Sequence, residues 1–137
     1  MRILLLHTNS ITVIAKKPAF KSAPPANQDE PQEMKKCMTV FAAAEKKDEG
    51  SEQEVAERIA KEVKLYQAQI GVKNIMLYPY VHLTSNPSNP KTALKIIELA
   101  KELISKDFNV ASSPFGWYKE FNIHVKGHPL AELSREF

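Results

Sequence analysis

Residues 51–70 constrain the fold more than any other part of the chain. Their apolar positions recur at helical spacing, which predicts one amphipathic helix. These positions are Val55, Ile59, Val63, Tyr66 and Ile70. Ser51 and Glu54 match the S-x-x-E capping box at the start, and Gly71 can end the helix in the left-handed conformation. Because a helix with one apolar face needs a second layer to cover it, the chain must also supply a sheet.

A second amphipathic helix is predicted to follow Asn89, which can cap it with Pro90 at the first helical position. Its apolar face consists of Ala93, Ile96, Ile97, Ala100, Leu103 and Ile104. Two such helices again require a sheet between or beneath them.

Short apolar or alternating segments predict six strands. They are residues 2–7, 11–15, 37–44, 74–81, 108–112 and 120–126. Asn9 and Ser10 suggest a hairpin turn between the first two, and Pro79 marks an edge strand or a strand end. Residues 21–33 read as a loop, and residues 131–135 as a final helical turn. The predicted order is β-β-β-α-β-α-β-β, an α/β or α+β domain with a mixed sheet, and 137 residues suit a single domain.

Charge and cysteine content exclude several classes of protein. The net charge of +3 permits nucleic-acid binding, but the lysine pairs are scattered rather than clustered on one predicted face. The single cysteine, Cys37, excludes an internal disulfide framework and a cysteine-based zinc cluster, and we expect it to be buried. No apolar run reaches the ~20 residues that span a bilayer, and no signal peptide is apparent. These features predict a cytoplasmic protein without a membrane partner.

Familiar catalytic motifs are missing from the chain. The four histidines form neither H-x-x-x-H nor H-E-x-x-H, and there is no G-x-G-x-x-G, P-loop or G-x-S-x-G sequence. We therefore predict no metal site and no cofactor. His7 and His82 fall at predicted strand ends, where sites often form. The alternative for each is a histidine that hydrogen-bonds a nearby backbone group.

One lysine has an unusual predicted direction. If residues 120–126 form a strand, alternation places Lys119 on the same face as Phe121, Ile123 and Val125, which is the apolar face. A lysine on that face either extends to the rim or points into a pocket, with Glu132 or His82 as its partner.

Five segments together resemble a known family, the N-terminal editing domain of archaeal threonyl-tRNA synthetases. In order along the chain they are "MRILLLH", "VFAAAEKKDE", "YPYVHLTS", "PFGWYKEF" and "KGHPLAELSR". The last two are the most specific, and the match covers nearly the whole chain.

The resemblance implies a fold shared with D-aminoacyl-tRNA deacylases, a homodimer, and hydrolysis of seryl-tRNA(Thr) at the 3′ end of the tRNA. The synthetase catalytic domain would act with it in cis or in trans. The family's catalytic positions fall on Lys119, His82, Glu132 and Tyr118. Its pocket walls fall on Ala44, Pro79, Val81 and Phe115. The terminal ribose hydroxyl of the tRNA would help to activate the water, which fits the absence of a nucleophile–base pair.

Two other functions stay open at this point. The shared fold allows hydrolysis of D-aminoacyl-tRNA, and a tRNA-end binding module without catalysis is a third possibility. Lys119 would either stabilise charge on the ester or position the seryl group. The chain also departs from the family pattern, with Thr8 and Asn9 where relatives often have Ser-Asp, and with His124 and Val125 where a serine and a cysteine are common.

Overall fold

One long strand, β1 (Arg2–Pro18), organises the sheet. The computed structural model describes residues 1–137. On one side β1 pairs antiparallel with β2 (Gln32–Ala43). On its other side β6 (Glu132–Glu136) pairs with its first part and β5 (Trp117–Val125) with its second part, both antiparallel. Because β1 is long enough to hold two partners along one edge, β5 and β6 together form the outer border of the sheet.

Two helical crossovers extend the sheet beyond β2. The helix α1 (Glu52–Ile70) connects β2 to the parallel strand β3 (Asn74–Pro79), and α2 (Pro90–Ser105) connects β3 to the parallel strand β4 (Asn109–Ser112). The order is β4-β3-β2-β1-β5, with β6 beside β1. The predicted class is confirmed: this is an α+β domain with a mixed six-stranded sheet and two helices.

Both helices pack on one face of the sheet and form the larger core, as their periodicity predicted. Of the predicted α1 positions, Val55, Ile59, Val63 and Tyr66 are buried, and Ile70 is partly buried against the same cluster. The α2 positions Ile96, Ile97, Ala100 and Ile104 are also buried. The end of α1 at Gly71 is confirmed by its φ of 75°, and Asn89 Oδ1 caps α2 by accepting from Thr92 N at 2.8 Å.

The other face of the sheet carries a second, smaller cluster, and the sheet curls around it. Phe121 of β5 lies 5.9 Å from Phe41 of β2 and 5.2 Å from Tyr78 of β3, measured between ring centroids. Since two strands separate β5 from β3 in the sheet order, these contacts require strong curvature. The curl brings β5 over the carboxyl ends of β2 and β3.

The hairpin predicted at Asn9 and Ser10 is wrong. β1 runs through both residues, and its register with β2 is continuous from Thr8, opposite Cys37, to Ser10, opposite Lys35. Only the pairing with β5 shifts between Thr8 and Ser10. Asn-Ser lacks the glycine that favours a tight two-residue turn, and pairing along the whole of β1 keeps the chain extended.

Three further predictions need correction. Residues 131–135 form most of β6 instead of a helical turn, because their backbone pairs with the start of β1. Ser51 precedes α1, but its side chain makes no capping bond; the Glu52 carboxylate accepts from Gly50 N at 3.1 Å. The observed order is therefore β-β-α-β-α-β-β-β. His7 lies within β1 and not at a strand end.

Two smaller expectations concern Cys37 and Pro79. Cys37 is buried as predicted and free. Pro79 is the last residue of β3, so the strand-end interpretation is correct and the edge interpretation is wrong. No helix in the structure is long and apolar enough to cross a membrane.

Candidate active site

A cavity of about 560 Å³ opens at the carboxyl ends of the parallel strands β2 and β3. In sheets with parallel strands this end is where ligands commonly bind. Its lining comes from the end of β2, residues 78–82, the start of α2 and the first half of β5. Thirteen of its twenty lining residues are hydrophobic, so the cavity suits a small, largely apolar or neutral group beside a few polar contacts.

Seven of the eight site residues predicted from the sequence line this cavity. They are Lys119, His82, Tyr118, Ala44, Pro79, Val81 and Phe115. Glu132 does not line it; this residue lies on β6 opposite Leu6 and is exposed to solvent. The sequence positions thus come together in space, except for the glutamate.

Lys119 is the most constrained polar group of the cavity. Its Nζ donates a hydrogen bond to the carbonyl oxygen of Pro114 at 2.8 Å and lies 4.5 Å from the centroid of the Tyr78 ring. Burial lowers the pKa of Lys119 from 10.5 to about 8, because a desolvated ammonium loses hydration that one carbonyl and a ring face do not replace. The lysine therefore points into the cavity instead of extending to the rim.

The predicted partners of Lys119 are wrong for this structure. Neither Glu132 nor His82 forms an ion pair or hydrogen bond with its Nζ, which bonds Pro114 instead. The tight turn before β5 explains this, since it carries the Pro114 carbonyl back to within reach of the strand. The lysine has no carboxylate to neutralise it and keeps spare donors for a ligand.

The predicted alternation of side chains along β5 is confirmed, although its inner face is only half-buried. Ile123 and Val125 pack against the smaller cluster, Lys119 is partly buried, and Phe121 reaches an exposed fraction of 37%. His124 is on the opposite, exposed face, in keeping with the alternation of a strand.

His82 follows β3 in a short 3-10 turn, Val81–Leu83. Its ring lies 5.2 Å from that of Tyr80 at 74°, an edge-to-face contact. The imidazole makes no hydrogen bond to another protein group. A histidine without an orienting partner has no fixed tautomer, which is unfavourable for a general base.

Gly116 sets the shape of the aromatic turn that leads into β5. Its φ is 76°, and a Cβ there would lie 2.7 Å from Cζ of Phe20. Trp117 Nε1 donates to the carbonyl of Pro24 at 2.7 Å and ties the same turn to the loop before β2. Glycine is required at this turn by both the left-handed backbone and the close packing of Phe20.

Sequence reasoning missed the aromatic floor of the cavity and the loop residues beside it. Tyr78, Tyr80 and Phe121 contact one another, and Lys119 Nζ lies over the Tyr78 ring. Burial raises the pKa of Tyr78 to about 12. The "YPY" sequence at the end of β3 was an available signal for the tyrosines. Phe20 also lines the cavity, but nothing in the aperiodic sequence around it signals that position.

The remaining histidines lie elsewhere. His7 Nδ1 and His128 Nε2 are 2.8 Å apart, and His128 Nδ1 accepts from Leu130 N. Burial, together with His128 and Lys126, lowers the pKa of His7. No three His, Cys, Asp or Glu side chains are grouped in a way that could hold a metal ion.

Comparison with known proteins identifies the family of this chain. The family described as "Archaea-specific editing domain of threonyl-tRNA synthetase" matches residues 1–137. The chain belongs to this family. It is therefore an editing domain, an enzyme of the class that hydrolyses mischarged aminoacyl-tRNA.

Individual relatives agree with the family. The chain is 50% identical to the threonine–tRNA ligase of Nanoarchaeum equitans and 40% identical to that of Methanococcoides burtonii. Each match covers 98% of this chain but only 21% of the relative, so the chain spans about a fifth of the length of these ligases. Among solved structures it is similar to the c-Myc DNA Unwinding Element Binding Protein. That likeness has a TM-score of 0.73 at 11% identity, covers 100% of this chain and 99% of the other, and bears on fold alone.

Proposed function

We propose that this editing domain hydrolyses L-seryl-tRNA(Thr), releasing serine and tRNA(Thr), with the terminal ribose of the tRNA assisting the attacking water. The observation that carries the proposal is the partly buried Lys119, aimed without a carboxylate partner into a cavity that the family's motifs line. Its partner in the cell would be the catalytic domain of a threonyl-tRNA ligase, in cis or in trans.

The cavity has the physical properties that ester hydrolysis needs. Negative charge develops on the carbonyl oxygen of the ester, and a cation in a dry site stabilises it strongly. The Lys119 ammonium is the candidate for that role, and it has donors left after bonding Pro114. Nothing in the cavity pairs a nucleophile with a base, so the water must be activated in another way.

Serine is the expected substrate because it differs from threonine by only one methyl group. A synthetic site gains only ~1–3 kcal/mol from the extra methyl of threonine and rejects serine poorly. A second site that accepts serine but clashes with the methyl needs stiff walls. Ala44, 8% exposed and directly after β2, and Pro79, the last residue of β3, are short or rigid side chains at the carboxyl ends of these strands.

A deacylation assay on three charged tRNAs tests the proposal. We expect rapid hydrolysis of L-seryl-tRNA(Thr) and slow hydrolysis of L-threonyl-tRNA(Thr) and of a D-aminoacyl-tRNA. Preferred hydrolysis of the D-aminoacyl substrate would replace the proposal with a D-aminoacyl-tRNA deacylase. Binding of all three without turnover would leave a tRNA-end binding module.

We further propose that the domain is a homodimer in which Glu132 reaches the partner's cavity. Glu132 is solvent-exposed on β6 and lies outside the cavity of its own chain. The outer edges of β5 and β6 are unpaired, and they lie next to the exposed apolar side chains Tyr118, Phe121 and Leu130. Unpaired edges with exposed apolar groups are typical of a surface that a second copy covers.

A mixed dimer distinguishes the two possible placements of Glu132. Lys119→Met and Glu132→Gln chains, each with its own tag, would be co-expressed and the mixed dimer purified. If Glu132 acts across a two-fold interface, one site in the mixed dimer is intact, and about half of the wild-type activity per dimer returns. Mixed dimers as inactive as both parent homodimers would instead place Glu132 in the site of its own chain, and a fully active Glu132→Gln homodimer would remove Glu132 from catalysis altogether.

The activity should also depend on pH through Lys119. With a pKa of about 8, the lysine is a cation below pH 8 and loses its charge above it. Above this pH the charged fraction falls about tenfold per pH unit, so kcat/KM should decline from pH 8 to pH 9 after subtraction of spontaneous ester hydrolysis. Lys119→Arg, which keeps its charge, serves as the control with a flat profile. A wild-type profile that is flat over this range would contradict a role for the charge.

A further inference from the structure

A second cavity, of about 520 Å³, lies beside the first and takes no part in the function described above. We call it the loop cavity. Its walls are the proline-rich loop before β2, the first residue of β2, one side of α2 and the segment after β4. Hydrogen bonds hold the loop in place: Gln28 Nε2 donates to the Lys16 carbonyl, and Asn27 Oδ1 accepts from the backbone of Asp29 and Glu30. The cavity is thus a built feature of the fold.

Two polar atoms buried in its wall have no partner. These atoms are Ser113 Oγ and Gln32 Oε1, and both residues line the loop cavity. Ser113 is only 2% exposed. Buried polar atoms are nearly always hydrogen-bonded, so each such exception calls for a bound group or water. They are the only buried side-chain oxygens or nitrogens in the structure left without a partner.

The orientation of Gln32 fixes the pattern that the wall presents. Gln32 Nε2 donates to the carbonyl of Ser112 at 3.1 Å, which identifies Oε1 as the acceptor that is left without a partner. The Ser113 hydroxyl can donate. The residues that line the loop cavity thus include one unpartnered acceptor and one unpartnered donor, a set that suits a planar group with an amino donor adjacent to an acceptor nitrogen.

Charge at the loop cavity favours a neutral ligand over a phosphate. The only charged residues that line it are Glu30, Glu98 and Lys101. All three are exposed and none forms an ion pair. One cation against two carboxylates does not attract an anion, whereas a neutral base is unaffected.

The two cavities share one wall residue, Phe115. An aromatic ring between them provides a face on which a base can stack. A group that enters the loop cavity is therefore a direct neighbour of whatever occupies the candidate active site.

Resting on the function proposed above, we infer that the loop cavity binds the base of the nucleotide that precedes the aminoacylated adenosine. In a tRNA this nucleotide is cytidine. Its N4 amino group would donate to Gln32 Oε1, its N3 would accept from Ser113 Oγ, and its ring would lie against Phe115. Single-stranded bases are commonly recognised in this way, by stacking together with contacts to the Watson–Crick edge.

A binding measurement with substrate analogues that cannot be hydrolysed tests this subsite. The probes are two trinucleotides, CCA and CUA, each carrying serine in an amide linkage that cannot be hydrolysed. Uracil reverses the donor and acceptor at the recognised edge, so wild-type protein should bind CCA roughly 5- to 150-fold more tightly than CUA, the range for one bidentate base contact. Equal binding of the two would mean that the cavity holds water only and would overturn the inference.

Variants connect the preference to the two atoms. Ser113→Ala removes a hydroxyl that has no partner, so it should fold at least as stably as wild type and should lose most of the preference for CCA. Ser105→Ala, on the exposed end of α2, is the matched control and should retain it. Gln32→Leu is the second variant, and its melting is recorded because the Ser112 carbonyl loses its donor. A preference retained in both Ser113→Ala and Gln32→Leu would overturn the assignment.

The result is separable from the outcome of the proposed function. If seryl-tRNA is not hydrolysed but the preference for CCA persists, the proposed hydrolytic function is wrong and the subsite is supported. If seryl-tRNA is hydrolysed normally but CCA and CUA bind equally, the subsite is wrong and the hydrolytic function is supported.

Discussion

Seryl-tRNA(Thr) whose terminal ribose carries hydrogen in place of the hydroxyl next to the ester should be deacylated ~10²–10⁴-fold more slowly than the normal substrate, the usual contribution of general base catalysis. The reason lies in the composition of the cavity. Lys119 is a cation at neutral pH, and the His82 ring contacts Tyr80 but has no hydrogen-bond partner to fix its tautomer. No protein side chain is therefore placed as an evident base, and the ribose hydroxyl is the remaining group close to the ester.

The matched comparison is His82→Ala with the normal substrate. We expect this variant to lose less activity than the deoxy substrate does, because His82 would orient the substrate or a water and not remove a proton. Single-turnover rates with enzyme in excess separate the chemical step from product release. If His82→Ala abolishes turnover while the deoxy substrate is still hydrolysed well, the base is a protein histidine and the RNA-assisted mechanism is wrong.

Helices were the part of the fold most accessible from the sequence. Both α1 and α2 show the 3.6-residue period over several turns, and their ends coincide with residues whose preferences are local, Gly71 and Asn89. The Ser51 capping box failed because a capping side chain is one of several ways to satisfy the first turn, and here Glu52 bonds Gly50 instead. Periodicity summed over many residues is robust, whereas a single hydrogen bond is not.

Strand limits were less accessible because pairing with distant residues decides them. β1 continues through Asn9 and Ser10 since β2 is paired to it on both sides of that point. β6 is extended because the start of β1 offers a free edge at that position. Neither partner is close in sequence, and local turn or helix preferences are weaker than a full ladder of hydrogen bonds.

In the candidate site, too, features set by local sequence could be predicted and features set by distant contacts could not. Alternation along β5 predicted the inward direction of Lys119, because direction depends only on strand period. Its actual partners, the Pro114 carbonyl and the Tyr78 ring, depend on the turn geometry and on the curl of the sheet. Glu132 was predicted both as a partner of Lys119 and as a catalytic position of the family, and its place outside the cavity of its own chain is what leads to the proposal of a shared dimeric site.

Replacement of Lys119 by methionine should reduce deacylation of seryl-tRNA(Thr) by a factor on the order of 10–1000 without unfolding the domain. The loss corresponds to one electrostatic donor removed from a dry site. Methionine has a similar length and is apolar, so it can occupy the space over the Tyr78 ring. The Pro114 carbonyl loses its donor, but Pro114 is only partly buried and lines the loop cavity, where water can replace the lysine.

The stability of the same variant provides an independent check on the environment of the lysine. Because the pKa of Lys119 is about 8 in the folded protein and 10.5 as an ordinary value, the unfolded chain binds more protons between these two pH values. Stability therefore rises with pH through this window, and below pH 8 the folded protein bears the full cost of burying the charge. Lys119→Met removes that cost, so at pH 7 it should melt at or above the wild-type temperature, and the pH dependence of melting between pH 8 and 10.5 should flatten.

Full wild-type turnover in Lys119→Met with normal melting would show that the charge has no role in catalysis. Low turnover with a clearly lowered melting temperature would instead mean that the lysine supports the fold.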